Sequence, residues 1–238
     1  MKLFKHLCAL VTIFSLSSFA FTAYGADLSE VIATLERGYN SLEDIQADFT
    51  QRTVIASMKR EEHGKGELFI KKAGAGQAMF RFDYTKPRQE IISNGRKVWY
   101  YLPEDKQVMV SEVTELFKGG NGIALNYLTG MGHVSRDFTI TFAGEGRDKN
   151  GNYVLDLVPK KPNQVMTDLK LTISAAAVDK FRKSGKPIAM FPIVSSVVED
   201  PFGNRTTFDF SRIRVNQEMG NGRFVFKIPS GVEVVKNR

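Results

Sequence analysis

Residues 80–87 read Phe80-Arg81-Phe82-Asp83-Tyr84-Thr85-Lys86-Pro87. Three aromatic rings alternate with two charges. A period of two puts the rings on one face of a strand and the charges on the other, as in an antiparallel sheet with one apolar side and one wet side. The alternation returns at Phe138, Ile140 and Phe142, at Leu169, Leu171 and Ile173, and at Phe224, Phe226 and Ile228. Asn94-Gly95, Asn150-Gly151 and Asn221-Gly222 are tight-turn dipeptides, and Asp200-Pro201-Phe202-Gly203-Asn204 is a longer turn. Gly64-Lys65-Gly66 and Gly74-Ala75-Gly76 also read as turns flanking strands. From Gln46 onward the pattern predicts about eleven strands in meander order.

Three segments depart from this period. Leu28, Val31, Ile32, Leu35, Tyr39 and Leu42 follow helical spacing, with Asp27 and Glu30 in capping-box position. An amphipathic helix ending near Tyr39 or Asn40 is expected. Residues Glu112–Met131 place Val113, Leu116, Phe117, Ile123, Leu125, Tyr127 and Leu128 around Gly119-Gly120-Asn121-Gly122. This predicts one or two short helices lying over the sheet, as a fixed cap or as a lid that opens. Ala175 to Phe191 reads as a long irregular connection with Lys180, Arg182, Lys183 and Lys186 on it.

The chain has 238 residues. Its start carries Lys2, Lys5 and His6, then an uncharged apolar run from Leu7 to Phe21, then Ala23-Tyr24-Gly25. A positive start, an apolar middle and small residues at the minus-three and minus-one positions are the parts of a secretory signal. Residues 1–25 are therefore expected to be a cleaved signal peptide, and residues 26–238 a single domain. Cys8 is the one cysteine, so the mature chain has no disulfide. The 33 basic residues less Lys2 and Lys5, against 26 acidic ones, leave a charge of +5. That mild excess fits transient contact with an anionic membrane surface or acidic partners. There is no tight Lys/Arg cluster interleaved with stacking aromatics, so no nucleic acid is expected.

Catalytic machinery is not legible. His63 and His133 lie in separate segments without ligands at metal spacing, so no metal and no cofactor are expected. There is no Gly-x-Ser-x-Gly elbow, no Walker loop and no dinucleotide fingerprint. Glu104 and Asp105 fall in a predicted hairpin tip. His133 is the one candidate base for a hydrolase. The apolar face itself has two readings, an ordinary packed core or the lining of a half-closed barrel that holds an apolar ligand.

Several stretches, in order, resemble the periplasmic lipoprotein carrier family LolA. They are Gln46-Ala47-Asp48-Phe49-Thr50-Gln51, Gly64-Lys65-Gly66-Glu67-Leu68-Phe69-Ile70-Lys71, residues 80–87, Ile92-Ser93-Asn94-Gly95-Arg96-Lys97-Val98-Trp99-Tyr100-Tyr101, and Phe224 to Val234. The resemblance implies an unclosed antiparallel β-barrel with a helical lid. It implies a non-enzymatic, monomeric periplasmic carrier of acylated lipoproteins, loaded by an inner-membrane ABC-type exporter and unloaded at an outer-membrane acceptor. The lipid-binding cavity it implies comprises Phe49, Leu68, Ile70, Phe80, Phe82, Trp99 and Tyr101. The lid comprises Leu116, Phe117, Ile123, Leu125 and Leu128. Lys72 matches the position of an arginine that holds the lid in the family, and the stretch from Ala175 to Phe191 is absent from the familiar pattern. These departures keep two alternatives open, a carrier of another envelope lipid and a lipoprotein-sensing module that does not transport.

Overall fold

The structure is a computed structural model, and it describes residues 25–73, 77–114, 133–161, 166–186 and 188–236. The expected signal segment before Gly25, the expected turn at Gly74-Ala75-Gly76 and the expected lid residues Leu116, Phe117, Ile123, Leu125 and Leu128 lie outside the described residues. Among those described, no helix is long and apolar enough to cross a membrane.

Helix α1 spans Leu28–Asn40 and begins as its sequence dictates. The Asp27 carboxylate accepts from the Glu30 amide at 2.8 Å, and the Glu30 carboxylate accepts from the Asp27 amide at 3.1 Å. Strands β1 (Asp44–Ile55), β2 (Arg60–Ala73), β3 (Gln77–Lys86), β4 (Arg88–Ser93), β5 (Lys97–Leu102) and β6 (Gln107–Glu112) follow as a meander. A single helical turn, α2 (Val134–Asp137), leads to β7 (Phe138–Arg147), β8 (Tyr153–Pro159) and β9 (Asp168–Ile173). Helix α3 (Ala175–Ser184) precedes β10 (Ile193–Glu199), β11 (Arg205–Val215), a 3-10 turn at Asn221–Phe224 and β12 (Glu233–Lys236).

These strands form one sheet in the order β12-β6-β5-β4-β3-β2-β1-β11-β10-β9-β8-β7. Eleven of them pair antiparallel, and β12 adds to β6 in parallel. The edge strands β12 and β7 are not bonded to each other, so the barrel is unclosed. The concave face carries the main core. Phe49, Leu68, Ile70, Phe80, Phe82, Leu155, Leu157, Leu171 and Ile173 pack there with Val31, Leu35 and Tyr39 of α1. Helix α3 lies beside α1: Arg182 pairs with Glu30 at 3.2 Å and Arg37 sits over the Phe181 ring.

Three expectations are corrected. Ala175–Ser184 is a helix, not an irregular connection. Ser174 caps it, three alanines favour it and Gly185 ends it at φ 60°. Only Val178 on it is fully buried, which is too little for a periodic signal. Gly64-Lys65-Gly66 lies inside β2, not at a turn. The stretch Phe224 to Ile228 is not a strand. Phe224 closes the 3-10 turn and is buried, Phe226 two residues on is half-buried, and Ile228 is exposed, so the alternation follows contact with the convex face only as far as Phe226. Phe224 packs with Phe69, Met79 and Met219, and Phe226 meets the rings of Trp99 and Tyr101.

This C-terminal strap is pinned where it leaves β11. The buried Asp44 carboxylate accepts from the amides of Gln217 at 2.8 Å and Met219 at 2.9 Å. Further along, Lys71 Nζ donates to the Met219 carbonyl, and the Arg223 guanidinium lies 4.2 Å from the Phe69 ring centroid. In Asp44→Ala two strap amides lose a charged acceptor, at a cost of about 3 kcal/mol. The denaturant midpoint is expected to fall accordingly, with new protease cleavage between residues 216 and 228. An unchanged midpoint refutes the pinning role.

Candidate functional site

Cross-strand register decides which side chains meet on the concave face. One row runs Ile45–Ile70–Phe80–Ser93–Val98, a second runs Ala47–Leu68–Phe82, and a third runs Phe49–Gly66–Tyr84. Five of the expected cavity residues, Phe49, Leu68, Ile70, Phe80 and Phe82, therefore share one face and one cluster. Trp99 and Tyr101 do not. They lie on the convex face, in the register of Phe69, Arg81 and Ile92, under Phe226 of the strap. Val98 and Tyr100 take the concave positions of β5. In a run as uniformly apolar as Val98-Trp99-Tyr100-Tyr101 the sequence offers no contrast to tell one face from the other.

The concave aromatics form a connected series across the sheet. Phe80 meets Phe82 at 6.2 Å between centroids, Phe82 meets Phe49 edge-on at 5.7 Å, and Phe49 meets Tyr84 edge-on at 4.8 Å. Across the β1–β11 seam Phe49 approaches Phe208 at 5.8 Å, and Phe208 stacks with Phe210. Phe210 meets Phe191 edge-on, and Phe191 meets Tyr39 of α1, each at 5.4 Å. Tilted and edge-to-face pairs at these separations are favourable beyond area burial alone. Tyr39, Tyr84, Phe191, Phe208 and Phe210 belong to this series but not to the residues singled out from sequence. Phe208-Asp209-Phe210 carries the same ring-charge-ring signal as Phe80 to Phe82 and would have identified two of them.

Two glycines make room for it. Gly64 and Gly66 lie on the concave face of β2, opposite Gln51 and Phe49. A Cβ on Gly64 would lie 3.0 Å from the Tyr84 ring, and one on Gly66 would lie 2.0 Å from the Asp83 carbonyl oxygen. Gly64 thus lets the Tyr84 ring lie over bare backbone, and Gly66 lets the β3 backbone at Asp83 approach closely. Because the obstacle at Gly66 is backbone, Gly66→Ala is expected to destabilise the fold by about 2–3 kcal/mol. A thermal unfolding curve that superposes on wild type counts against this packing.

Polar groups at the site are few. The Tyr84 hydroxyl donates to Gln51 Oε1 at 2.6 Å, and burial raises its pKa well above that of a free tyrosine. The Tyr39 hydroxyl is buried with no hydrogen-bond partner among the described residues, and burial pushes its pKa up as well. Lys72, the expected lid contact, donates from Nζ to the Asn40 carbonyl at 2.7 Å, placing a cation at the C-terminal end of α1. The residues expected to form a lid lie outside the described residues. His63 is exposed on β2 with Nε2 3.1 Å from Glu61, and His133 is the residue before α2. Among the described residues no three His, Cys, Asp or Glu side chains could hold a metal ion. Since the Tyr39 hydroxyl is desolvated without compensation, Tyr39→Phe is expected to keep or raise stability, by up to about 1 kcal/mol. A lower melting temperature shows that the hydroxyl has a partner.

The chain has relatives along most of its length. The profile of the family described as outer membrane lipoprotein carrier protein LolA matches residues 40–227. An outer-membrane lipoprotein carrier protein of Pseudomonas aeruginosa (strain PAO1) is 28% identical over 214 residues, covering 89% of this chain and 90% of the relative. The protein of the same name from Neisseria meningitidis serogroup B is 27% identical over 207 residues, covering 87% of each. A solved structure of an uncharacterised conserved protein from Thermus thermophilus shares the fold with TM-score 0.50 at 15% identity, covering 88% of this chain and 98% of that one. With a family match that extends over well more than half of its residues, the chain belongs to the outer membrane lipoprotein carrier protein LolA family.

Proposed function

We propose that the protein is a periplasmic carrier that shields the acyl chains of lipoproteins on its concave aromatic face and moves them from the inner to the outer membrane. The observation that carries this reading is the ring series from Phe80 to Phe210 on one face of an unclosed sheet, in a chain of the carrier family. Each acyl methylene shielded from water is worth roughly 0.8 kcal/mol, so free acyl chains do not cross an aqueous gap unaided. A carrier binds and releases its cargo without chemical turnover, which matches a site of rings and aliphatic side chains.

In this reading residues 1–25 are removed on export, and residues 26–238 form the working domain. Phe49, Leu68, Ile70, Phe80, Phe82 and Phe208 contact the acyl chains. The residues around Leu116, Phe117, Ile123, Leu125 and Leu128 cover them. An inner-membrane ABC-type exporter loads the monomer, and an outer-membrane acceptor unloads it. A second reading, a carrier of another envelope lipid, draws support from helix α3, which fills the stretch foreign to the familiar pattern.

The half-buried Phe208 gives a test that spares the core. Phe208→Glu is expected to weaken binding of an apolar fluorescent probe at least tenfold at a temperature where it stays folded, with some fall in unfolding midpoint from the ring contacts it loses. Protein purified from its native envelope is expected to carry acylated lipoprotein, read by mass spectrometry. A folded variant that binds the probe normally refutes the site. Bound lipid without lipoprotein moves the assignment to the second reading.

A further inference from the structure

The concave face changes character along its strands. Phe49, Phe208 and Phe210 form an apolar floor. Towards the turns at residues 56–59 and 200–204 the same face carries Gln51, Thr53 and Thr206, all half-buried. Register places Gln51 opposite Phe208 and Thr53 opposite Thr206. Their side chains are linked. Tyr84 Oη donates to Gln51 Oε1 at 2.6 Å, Gln51 Nε2 donates to Thr53 Oγ1 at 3.1 Å, and the two threonine hydroxyls share a hydrogen bond of 3.2 Å. The rim continues on the next two strands. Gln89 lies opposite Tyr84, and Tyr100 Oη donates to Gln89 Oε1 at 2.7 Å.

The donor count of this row is uneven. Tyr84 and Tyr100 each spend their single hydroxyl hydrogen on a glutamine oxygen. The two threonine hydroxyls have two hydrogens and use one between them, whichever of them donates. Gln51 has two amide hydrogens and uses one within the row. The row therefore holds donors in excess of its internal bonds, next to rings that offer none; none of its hydrogen-bonded members is charged, and Glu62, opposite Thr53 on β2, is paired with Arg60. A neutral group that accepts from these free donors and runs into hydrocarbon over the rings complements it.

We propose that this row is a subsite for the ester or amide carbonyl that joins an acyl chain to its head group. The hydrocarbon then lies on the floor formed by Phe49, Phe208 and Phe210, and the head group points towards the turns at 56–59 and 200–204. The subsite rests on the carrier reading above and adds to it an orientation and a chemical preference. A purely structural role for the row, as cross-strand pairs that stabilise the sheet, makes a different prediction: loss of the hydroxyls then affects every ligand equally.

The test compares two probes of equal chain length, a pyrenyl alkane and the methyl ester of a pyrenyl fatty acid, bound to the full mature protein. Wild type is expected to prefer the ester. Thr53→Val/Thr206→Val, close in shape to wild type, is expected to weaken the ester about fivefold, the ratio that one hydrogen bond of roughly 1 kcal/mol supplies. Alkane binding stays unchanged or tightens. If the double variant melts early, Thr206→Val alone reads out the same ratio, and Thr206→Ser, which keeps the hydroxyl, restores it. Equal affinity of the two probes for wild type, or an equal loss of both in the variants, overturns the subsite while leaving the carrier reading intact. Binding of neither probe to wild type overturns both.

Discussion

The arrangement depends on β1 being paired along both of its edges. Its residues bond β2 in unbroken register from Asp44 to Ile55, and bond β11 from Ile45 to Val54 with one irregularity between Gln46 and Asp48. A strand paired on both sides joins two half-sheets built from opposite ends of the sequence. Only through that seam does Phe49 lie beside Phe208, and without it the aromatic face would be two separate patches. Closing so long a loop costs conformational entropy, though the cost grows slowly with length. The long double ladder and the burial of Phe49 and Phe210 offset it.

The two faces of the sheet are used differently. On the convex side the strap from Asn216 to Ile228 seals the area over β2 to β5, with Asp44 holding its first turn and Phe224 and Phe226 resting on the sheet. Arg81 anchors this side further. It pairs with Asp83 and Glu90 and donates to the Arg223 carbonyl. On the concave side the rings are covered by α1 and by one another. On the proposed carrier reading, an acyl chain entering there would displace ring–ring contacts already made and gain only the difference between the old contacts and the new, which would limit net affinity.

The polar rim and the aromatic floor arise from the same alternation. β1 places Ile45, Phe49, Gln51 and Thr53 successively on one face, and β11 answers with Phe210, Phe208 and Thr206. Moving two residues along either strand passes from an apolar level to a hydrogen-bonding one. The gradient needs no special loop. It follows from two strands whose polar residues lie at matching distances from their turns.

The sequence by itself determined the period, and with it the strands. The alternation at 80–84, 138–142 and 169–173, the capping box at Asp27 and Glu30 and the turn at 200–204 are local signals, carried by residues near one another in the chain. That Phe49, Phe80 and Phe82 lie on one face was legible for the same reason. Other features were not, because they rest on contacts that no local pattern encodes. Trp99 and Tyr101 alternate as correctly as Phe80 and Phe82, yet face outward, since a run apolar at every position leaves its facing to the register with β4 and β6. Phe224 to Ile228 has the period of a strand but follows the sheet only as far as Phe226. Gly64 and Gly66 look like turn residues until β3 is laid beside them, when the Asp83 carbonyl and the Tyr84 ring fill the space their missing side chains leave. Period is a property of the chain, whereas facing, seam and close approach belong to the neighbour against which each strand finally packs.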